Sequence, residues 1–122
     1  MKFLIELLTN HLNPNLENNE TKIHSGEANL FRHGITVGGK LFLTDQRLIF
    51  LPHKLNLSQK EELIDLGDIN TMEEINSLDW LNNTLIIKLK NNTEFKFLLY
   101  NSDVWVAEIN NIKKVNNLID IN

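Results

Sequence analysis

The stretch from Gly38 to Lys54, GGKLFLTDQRLIFLPHK, carries the densest apolar signal in this chain of 122 residues. Two apolar runs, LFL and RLIF, flank the polar pair Asp45-Gln46. This pattern predicts a β-hairpin with a two-residue turn, since Asp tolerates the positive φ that such turns need. Pro52 fits the end of the second strand, because proline cannot donate to a hydrogen-bond ladder.

The length of the turn determines which residues face each other across this hairpin. Directly opposed residues share a face of the sheet. The predicted pairs are Leu41 with Phe50, Phe42 with Ile49, and Leu43 with Leu48. Both faces of the hairpin are therefore apolar in part, and the face with Phe42 and Ile49 is a candidate protein interface.

A second hairpin is predicted over residues 85–100, LIIKLKNNTEFKFLLY. A three-residue loop at positions 91–93 fits best, since Asn is the best non-glycine choice for its left-handed position. The predicted pairs are Leu89 with Phe95, Ile87 with Phe97, Leu85 with Leu99, and, on the outer face, Lys90 with Glu94 and Lys88 with Lys96. One face is then continuously apolar, and the other places two lysines directly opposite each other.

The whole region from 22 to 100 reads as about seven short strands, a number typical of a sandwich or barrel. The pair Gly38-Gly39 predicts a tight bend or bulge within it. Residues 101–120 form a predicted amphipathic helix, capped by Asn101 or Ser102. Its apolar stripe must pack on the sheet. The stripe consists of Trp105, Ile109, Ile112, either Val115 or Asn116, and Ile119.

We therefore expect one core formed by both hairpins and the helix. Its predicted members are Leu43, Phe50, Ile87, Phe97, Trp105 and Ile109. Residues 1–21 are predicted to be an N-terminal extension, followed by a domain over residues 22–120. Within the extension, apolar residues at helical spacing predict a short helix over residues 3–12, in which Phe3 and Leu7 would contact the sheet or another subunit.

Composition excludes several classes of protein. The chain has no cysteine and a net charge of −4, so disulfides, thiolate chemistry and nucleic acid as a partner are not expected. No apolar run approaches a membrane span, and we expect a cytoplasmic protein. Charge is uneven, with a net of +3 over residues 22–54, −6 over 60–80 and +2 over 85–100. Such asymmetry can orient a protein toward a charged partner.

Catalytic chemistry is not indicated either. The four histidines lack the spacing of a metal site, the serines lie in no nucleophile motif, and the glycines form no phosphate-binding loop. We expect no catalytic residue, no metal and no cofactor. Arg47, beside the hairpin turn, could meet an anion, but pairing with Asp45 or another nearby carboxylate is the favoured interpretation.

The first hairpin resembles the signature hairpin of the GRAM domain family. The residues that carry this resemblance are Gly38, Leu41, Leu43, Thr44, Arg47, Leu48, Ile49 and Phe50. The preceding segment GEANLF resembles the one found in small bacterial members, and the likeness covers about residues 26–115. It implies a pleckstrin-homology-like (PH-like), mainly β fold, in which a seven-stranded, two-sheet half-barrel is closed by one C-terminal amphipathic helix.

The resemblance also implies a binding module without enzymatic activity. Its partner would be an anionic lipid head group at the inner membrane surface or a protein, and the alternative is an assembly domain that binds no lipid, including a homo-oligomer. The candidate anion-binding residues are Lys88, Lys90 and Lys96, widened by Lys40, His53 and Lys54 if the fold brings them near. The competing interpretation is that these lysines only keep a sheet face soluble.

Overall fold

The computed structural model describes residues 13–54, 60–76 and 83–120. Seven strands precede one long helix, as the sequence predicts. The strands are β1 (Lys22–Arg32), β2 (Ile35–Thr44), β3 (Arg47–Pro52), β4 (Glu62–Asp65), β5 (Ile69–Asn76), β6 (Asn83–Leu89) and β7 (Glu94–Leu99), and the helix is α1 (Ser102–Asp120). A 3-10 turn, Leu66–Asp68, connects β4 to β5.

All seven strands belong to one antiparallel sheet in the order β4-β3-β2-β1-β7-β6-β5. The two expected sheets are joined because β1, with 11 residues, pairs with β2 on one side and β7 on the other. The edge strands β4 and β5 are separated in the chain only by the 3-10 turn. The sheet must therefore curl until its two edges approach each other there, while staying open.

The first hairpin has the predicted register. Leu41 pairs with Phe50, Phe42 with Ile49, and Leu43 with Leu48. The Gly38-Gly39 pair, in contrast, forms no bulge, because the pairing of β1 with β2 is continuous there and shifts only between Lys22 and His24.

The predicted register of the second hairpin is wrong by two residues. Lys88 pairs with Glu94, and Lys96 pairs with Ile86. The left-handed residue is Asn92, at φ 71°, and the Leu89 N–H donates to the Thr93 carbonyl at 2.8 Å. The loop thus has the predicted three residues but begins one residue earlier. Because a shift of two preserves the alternation of faces, the inner face stays apolar.

The six predicted core residues are all buried in one cluster, with at most 2 % of their surface exposed. On α1, Trp105, Ile109 and Ile112 face this core, and Asn116 rather than Val115 continues the stripe. The Asn116 amide donates to the Asp45 carbonyl at 3.0 Å, whereas Val115 is 47 % exposed. The hydrogen bond explains why a polar side chain occupies this inward position.

Asn101 and Ser102, the two predicted cap residues, make other contacts at the start of the helix. Asn101 adopts a left-handed φ of 53°, and its carbonyl accepts from the Val104 N–H at 2.9 Å. Ser102 is fully buried and donates to the Glu74 carboxylate at 2.8 Å. The Ser102 hydroxyl therefore connects the start of the helix to β5.

The domain boundary at residue 22 stays a prediction, although β1 begins there. The predicted helix over residues 3–12, with Phe3 and Leu7, lies outside the described residues. The described part of the extension, residues 13–21, contacts the turn between β2 and β3 through hydrogen bonds described below.

Position 39 requires glycine, because neighbouring backbone and side-chain atoms approach it closely. A Cβ at this position would lie 2.4 Å from the Leu51 carbonyl oxygen and 2.7 Å from the Phe50 ring. We expect Gly39→Ala to lower the free energy of unfolding by about 1–3 kcal/mol, because backbone and ring would both have to shift. Gly67→Ala is the control, since a Cβ there meets nothing within 4 Å. Equal urea midpoints for the two variants would contradict the prediction.

Candidate functional site

The turn between β2 and β3 is bonded to the N-terminal extension through a buried ion pair. The Arg47 guanidinium donates from Nε to Glu20 Oε2 at 2.8 Å and from Nη2 to Glu20 Oε1 at 3.0 Å. Thr44 donates its hydroxyl to Glu20 Oε2 at 2.6 Å. The side chains of Glu20 and Arg47 are 0 % and 13 % exposed. Arg47 thus has the favoured structural role, with Glu20 rather than Asp45 as its partner.

Further hydrogen bonds connect the same two segments. The Asp45 N–H donates to the Thr21 carbonyl at 3.0 Å, and the Thr21 N–H donates to Asp45 Oδ1 at 2.9 Å. Arg47 Nη2 also donates to the Asn15 carbonyl at 2.8 Å. The Arg47 guanidinium is therefore engaged within the chain by Glu20 and the Asn15 carbonyl, which disfavours Arg47 as a ligand for an external anion.

The charge pair changes the acid–base behaviour of both partners. Hydrogen bonds from Arg47 outweigh the effect of burial and, with those from Thr44 and the Glu17 N–H, lower the pKa of Glu20 from 4.5 to about 2. The hydrogen bonds with Glu20 likewise raise the pKa of Arg47. Both groups therefore stay charged at neutral pH.

The structure divides the six predicted basic residues into separate groups. Lys88 and Lys96 are exposed on the outer face of β6 and β7. They are diagonal neighbours, about 7–8 Å apart between backbones, and Glu94 lies opposite Lys88. Lys90 lies in the loop that follows β6, near Lys113. The pKa of Lys113 is lowered by burial and, to a smaller extent, by the charge of Lys90.

Lys40 and His53 lie elsewhere on the outer face, and the exposed Lys54 follows His53 after the end of β3. His53 Nε2 is 2.8 Å from Glu27 Oε2, and Lys40 pairs across strands with the same Glu27. The Lys40 ammonium lies 5.4 Å from the centroid of the Phe42 ring. Since Glu27 and Phe31 are four residues apart on β1, this group is roughly 13 Å along the strand from Lys96. The six residues do not form one site.

The proposed apolar interface residues are covered in this structure. Phe42 is 0 % exposed and Ile49 is 1 % exposed, and they form a small buried cluster with Leu51. A partner could reach them only after a rearrangement that uncovers this cluster.

Two of the exposed large apolar side chains lie at the tip of the β1–β2 hairpin. Phe31 and Ile35 flank the His33-Gly34 turn and are 38 % and 58 % exposed. The Lys96 ammonium lies 5.2 Å from the centroid of the Phe31 ring, on the same outer face. Ile35 pairs with Arg32 and so lies on the opposite face of the sheet, at the exposed end of the hairpin. We call Phe31, Ile35, Lys88 and Lys96 the tip surface, because the end of the hairpin exposes both faces. The two apolar residues beside a turn were a signal in the sequence, but their exposure could not be known from it.

A cleft of about 390 Å³ opens beside this tip surface, on the inner side of the curled sheet. It is lined by Leu30, Phe31, Arg32, His33, Lys60, Glu62, Glu94 and Phe95. Arg32 spans the cleft and donates to Glu62 at 2.7 Å and to the Lys60 carbonyl at 3.3 Å. Its guanidinium is therefore engaged within the chain, and the other charged residues of the lining, Lys60 and Glu94, have opposite signs.

No cluster of metal-ligating side chains occurs in the parts of the chain that the structure describes. Within the same residues, no helix is long and apolar enough to cross a bilayer.

A curled seven-stranded antiparallel sheet with one C-terminal helix is the PH-like architecture. It is similar to the Vps36 N-terminal PH domain, with a TM-score of 0.60 and 20 % identity over 89 % of this chain and 88 % of that one. It is also similar to the C-terminal domain of an unknown protein from Leishmania infantum, with a TM-score of 0.61 and 18 % identity over 91 % and 96 % of the two chains. At these identities the likeness shows the fold alone.

The chain belongs to the GRAM domain family, whose model matches residues 7–114. The matched range includes the signature hairpin, and also part of the N-terminal extension. No curated protein matches the chain. GRAM and PH-like domains are typically non-catalytic modules that bind lipids or proteins.

Proposed function

We propose that this GRAM domain is a non-enzymatic module that contacts an anionic membrane surface through the tip surface. The observation that carries the proposal is the position of Lys96, 5.2 Å from the ring centroid of the exposed Phe31. A cation beside an exposed apolar side chain suits a lipid surface, where the ring enters the head-group region and the ammonium meets phosphate.

Two physical contributions add at this surface. Burial of Phe31 and Ile35 in the interface gains free energy in proportion to apolar area. Lys88 and Lys96 each add about 1 kcal/mol of attraction near an anionic leaflet. Both contributions act at the same tip, although the whole chain is acidic.

The acidic part of the chain opposes this attraction. Described residues 60–76 carry one lysine against six carboxylates, a net of −5. Glu62 lies in the cleft beside the tip and Thr71 of β5 pairs with Lys88, so repulsion of these carboxylates by an anionic membrane reduces the attraction of the tip surface. The proposed location is the cytoplasmic face of the inner membrane, as a peripheral protein.

Vesicle co-sedimentation tests this function. We expect the wild type to bind phosphatidylglycerol-containing vesicles at low salt and to release them as salt rises. Replacing Lys88 and Lys96 with glutamine should weaken binding roughly tenfold or more, since two attractions of about 1 kcal/mol are lost. Ile35→Ser should weaken it as well, with little effect on the salt dependence.

The matched control is the double variant Lys22→Gln and Lys114→Gln, which removes the same charge from exposed positions outside the tip surface. Equal losses in the two double variants would show that only net charge matters and would reject the tip surface. Absence of wild-type binding at low salt would reject lipid binding altogether. The second candidate function is a protein-interaction or assembly domain that binds no lipid. The observation that supports it is the outer edge of β5, which pairs with no other strand of the described residues.

A further inference from the structure

The outer face of β2 and β3 carries an apolar cluster that is separate from the main core. We call Phe42, Ile49 and Leu51 the outer cluster. Their exposed fractions are 0 %, 1 % and 6 %. Because side chains alternate along a strand, Phe42 and Ile49 point away from Leu41 and Phe50, which belong to the main core. The outer cluster therefore needs a cover of its own, on the far side of the sheet.

The described residues account for only part of this cover. The ammonium groups of Lys22 and Lys40 lie 5.8 and 5.4 Å from the centroid of the Phe42 ring. Leu63, which pairs with Ile49, is 50 % exposed. No partly buried apolar side chain of the described parts of the chain packs against the outer cluster. Lysine stems shield part of one ring, but three nearly inaccessible apolar side chains indicate a further segment above them.

The N-terminal extension reaches this face beside the turn between β2 and β3. Arg47 Nη2 donates to the Asn15 carbonyl at 2.8 Å, and Arg47 lies on the same face of the sheet as Ile49. Asn15, Glu17 and Ile49 line a common cleft of about 210 Å³. Asn13, the first described residue, is separated from Asn15 by at most about 7 Å of chain. The chain before Asn13 therefore starts beside the outer cluster.

The twelve residues before Asn13, MKFLIELLTNHL, match the outer cluster in length and in chemistry. As a helix, for which their apolar spacing is typical, they would span about 18 Å. The outer cluster extends over two strands roughly 5 Å apart and over about 7 Å along them. One face of such a helix would present four apolar side chains to it, namely Phe3, Leu4, Leu7 and Leu8.

The charges on this face permit the contact. The segment carries one cation and one anion, Lys2 and Glu6. The face carries Lys22 and Lys40 beside the outer cluster, with Glu27 opposite Lys40. Glu6 therefore meets an excess of positive charge there, and the ion pair at the turn adds no net charge.

We propose that residues 1–12 cover the outer cluster of their own chain and so occupy the face that carries Phe42 and Ile49. A second copy is at a disadvantage, because the chain enters this face at Asn13 and gives its own segment a high effective concentration. A protein partner then reaches Phe42 and Ile49 only by displacing this segment. The tip surface takes no part in the contact, so the proposal does not depend on lipid binding.

A nitroxide at the start of the segment tests the contact in the full chain. The chain has no cysteine, so a label on Lys2→Cys is attached at one site. We expect the amide signals of residues 40–42 and 49–51 to lose most of their intensity. Signals of residues 71–76 should keep most of theirs, since β5 lies four strands from β2 in the sheet. Reduction of the nitroxide restores the reference intensities.

Release of the segment gives a second measurement. Leu4→Asp combined with Leu7→Asp should restore most of the lost signal in the labelled chain. It should also raise the fluorescence of anilinonaphthalene sulfonate several-fold, because the outer cluster becomes accessible. The matched control is Val104→Asp combined with Val115→Asp, which changes two apolar residues of α1 that are already 39 % and 47 % exposed. The control should leave both measurements within about twofold.

Three results would overturn the proposal. The first is an equal loss of signal in residues 49–51 and 71–76 of the labelled chain, since the segment would then have no preferred face. The second arises in a mixture of nitroxide-labelled chain with isotope-labelled chain that lacks the nitroxide. A loss at residues 40–42 as large as in the singly labelled chain would show that a second copy supplies the cover. The third is unchanged dye fluorescence in the Leu4 and Leu7 double variant.

Discussion

Glu20→Gln is expected to lower the free energy of unfolding by about 3–5 kcal/mol, because it leaves the Arg47 charge largely buried without its counter-ion. The Glu20 carboxylate is 0 % exposed and accepts from Arg47 at 2.8 and 3.0 Å. A glutamine has one acceptor oxygen in place of two, and its amide would face the guanidinium. Chemical denaturation of both proteins at neutral pH measures the difference.

The same pair predicts a specific dependence of stability on pH. Arg47 and the other hydrogen-bond donors lower the pKa of Glu20 from 4.5 to about 2. The folded state therefore binds this proton more weakly than the unfolded state does. The resulting stabilisation, on the order of 3 kcal/mol, is complete above about pH 4.5 and is lost as the pH falls through about 2.

Comparison of the variants isolates this contribution. The difference in unfolding free energy between wild type and Glu20→Gln should shrink as the pH is lowered through this range. Glu17→Gln is the matched control, because the Glu17 side chain is exposed and its hydrogen bonds with Glu20 come from its backbone N–H and carbonyl. A loss of less than about 1 kcal/mol in Glu20→Gln at neutral pH would show that the pair is not buried in solution.

Phe50→Ala is expected to destabilise the protein by about 3–5 kcal/mol, because it removes a large side chain from the centre of the core. Phe50 is 1 % exposed, and its ring lies 5.8 Å from the ring of Phe97 between centroids. The ring also fills the space that Gly39 leaves beneath it, so the surrounding backbone has little freedom to close the cavity. The cost should therefore lie toward the upper end of this range.

Phe31→Ala provides the control for this prediction. Phe31 is 38 % exposed on the outer face, so its removal should cost less than about 1 kcal/mol. Denaturant titrations of the two variants give the comparison. The difference in unfolding free energy is valid if that free energy depends equally steeply on denaturant concentration in both variants. If Phe50→Ala unfolded at the same denaturant concentration as the control, the assignment of Phe50 to the core would be wrong.

The architecture was largely predictable from local patterns. Seven strands, one closing helix and the register of the first hairpin follow from alternation of apolar residues and from turn chemistry, both of which act over a few residues. The core followed for the same reason, because a shift in register by two leaves each side chain on its own face. The turn of the second hairpin was less determined, since either Asn91 or Asn92 could take the left-handed position.

The candidate sites required the three-dimensional arrangement. The sequence predicted that Arg47 pairs with a carboxylate, but Glu20 lies 27 residues away, and only the fold brings it within 2.8 Å. Likewise, the sequence does not distinguish Phe42 from Phe31, yet Phe42 is fully buried and Phe31 is exposed. Alternation along a strand assigns residues to faces. What covers each face depends on segments distant in the chain, and therefore only the tertiary structure decided it.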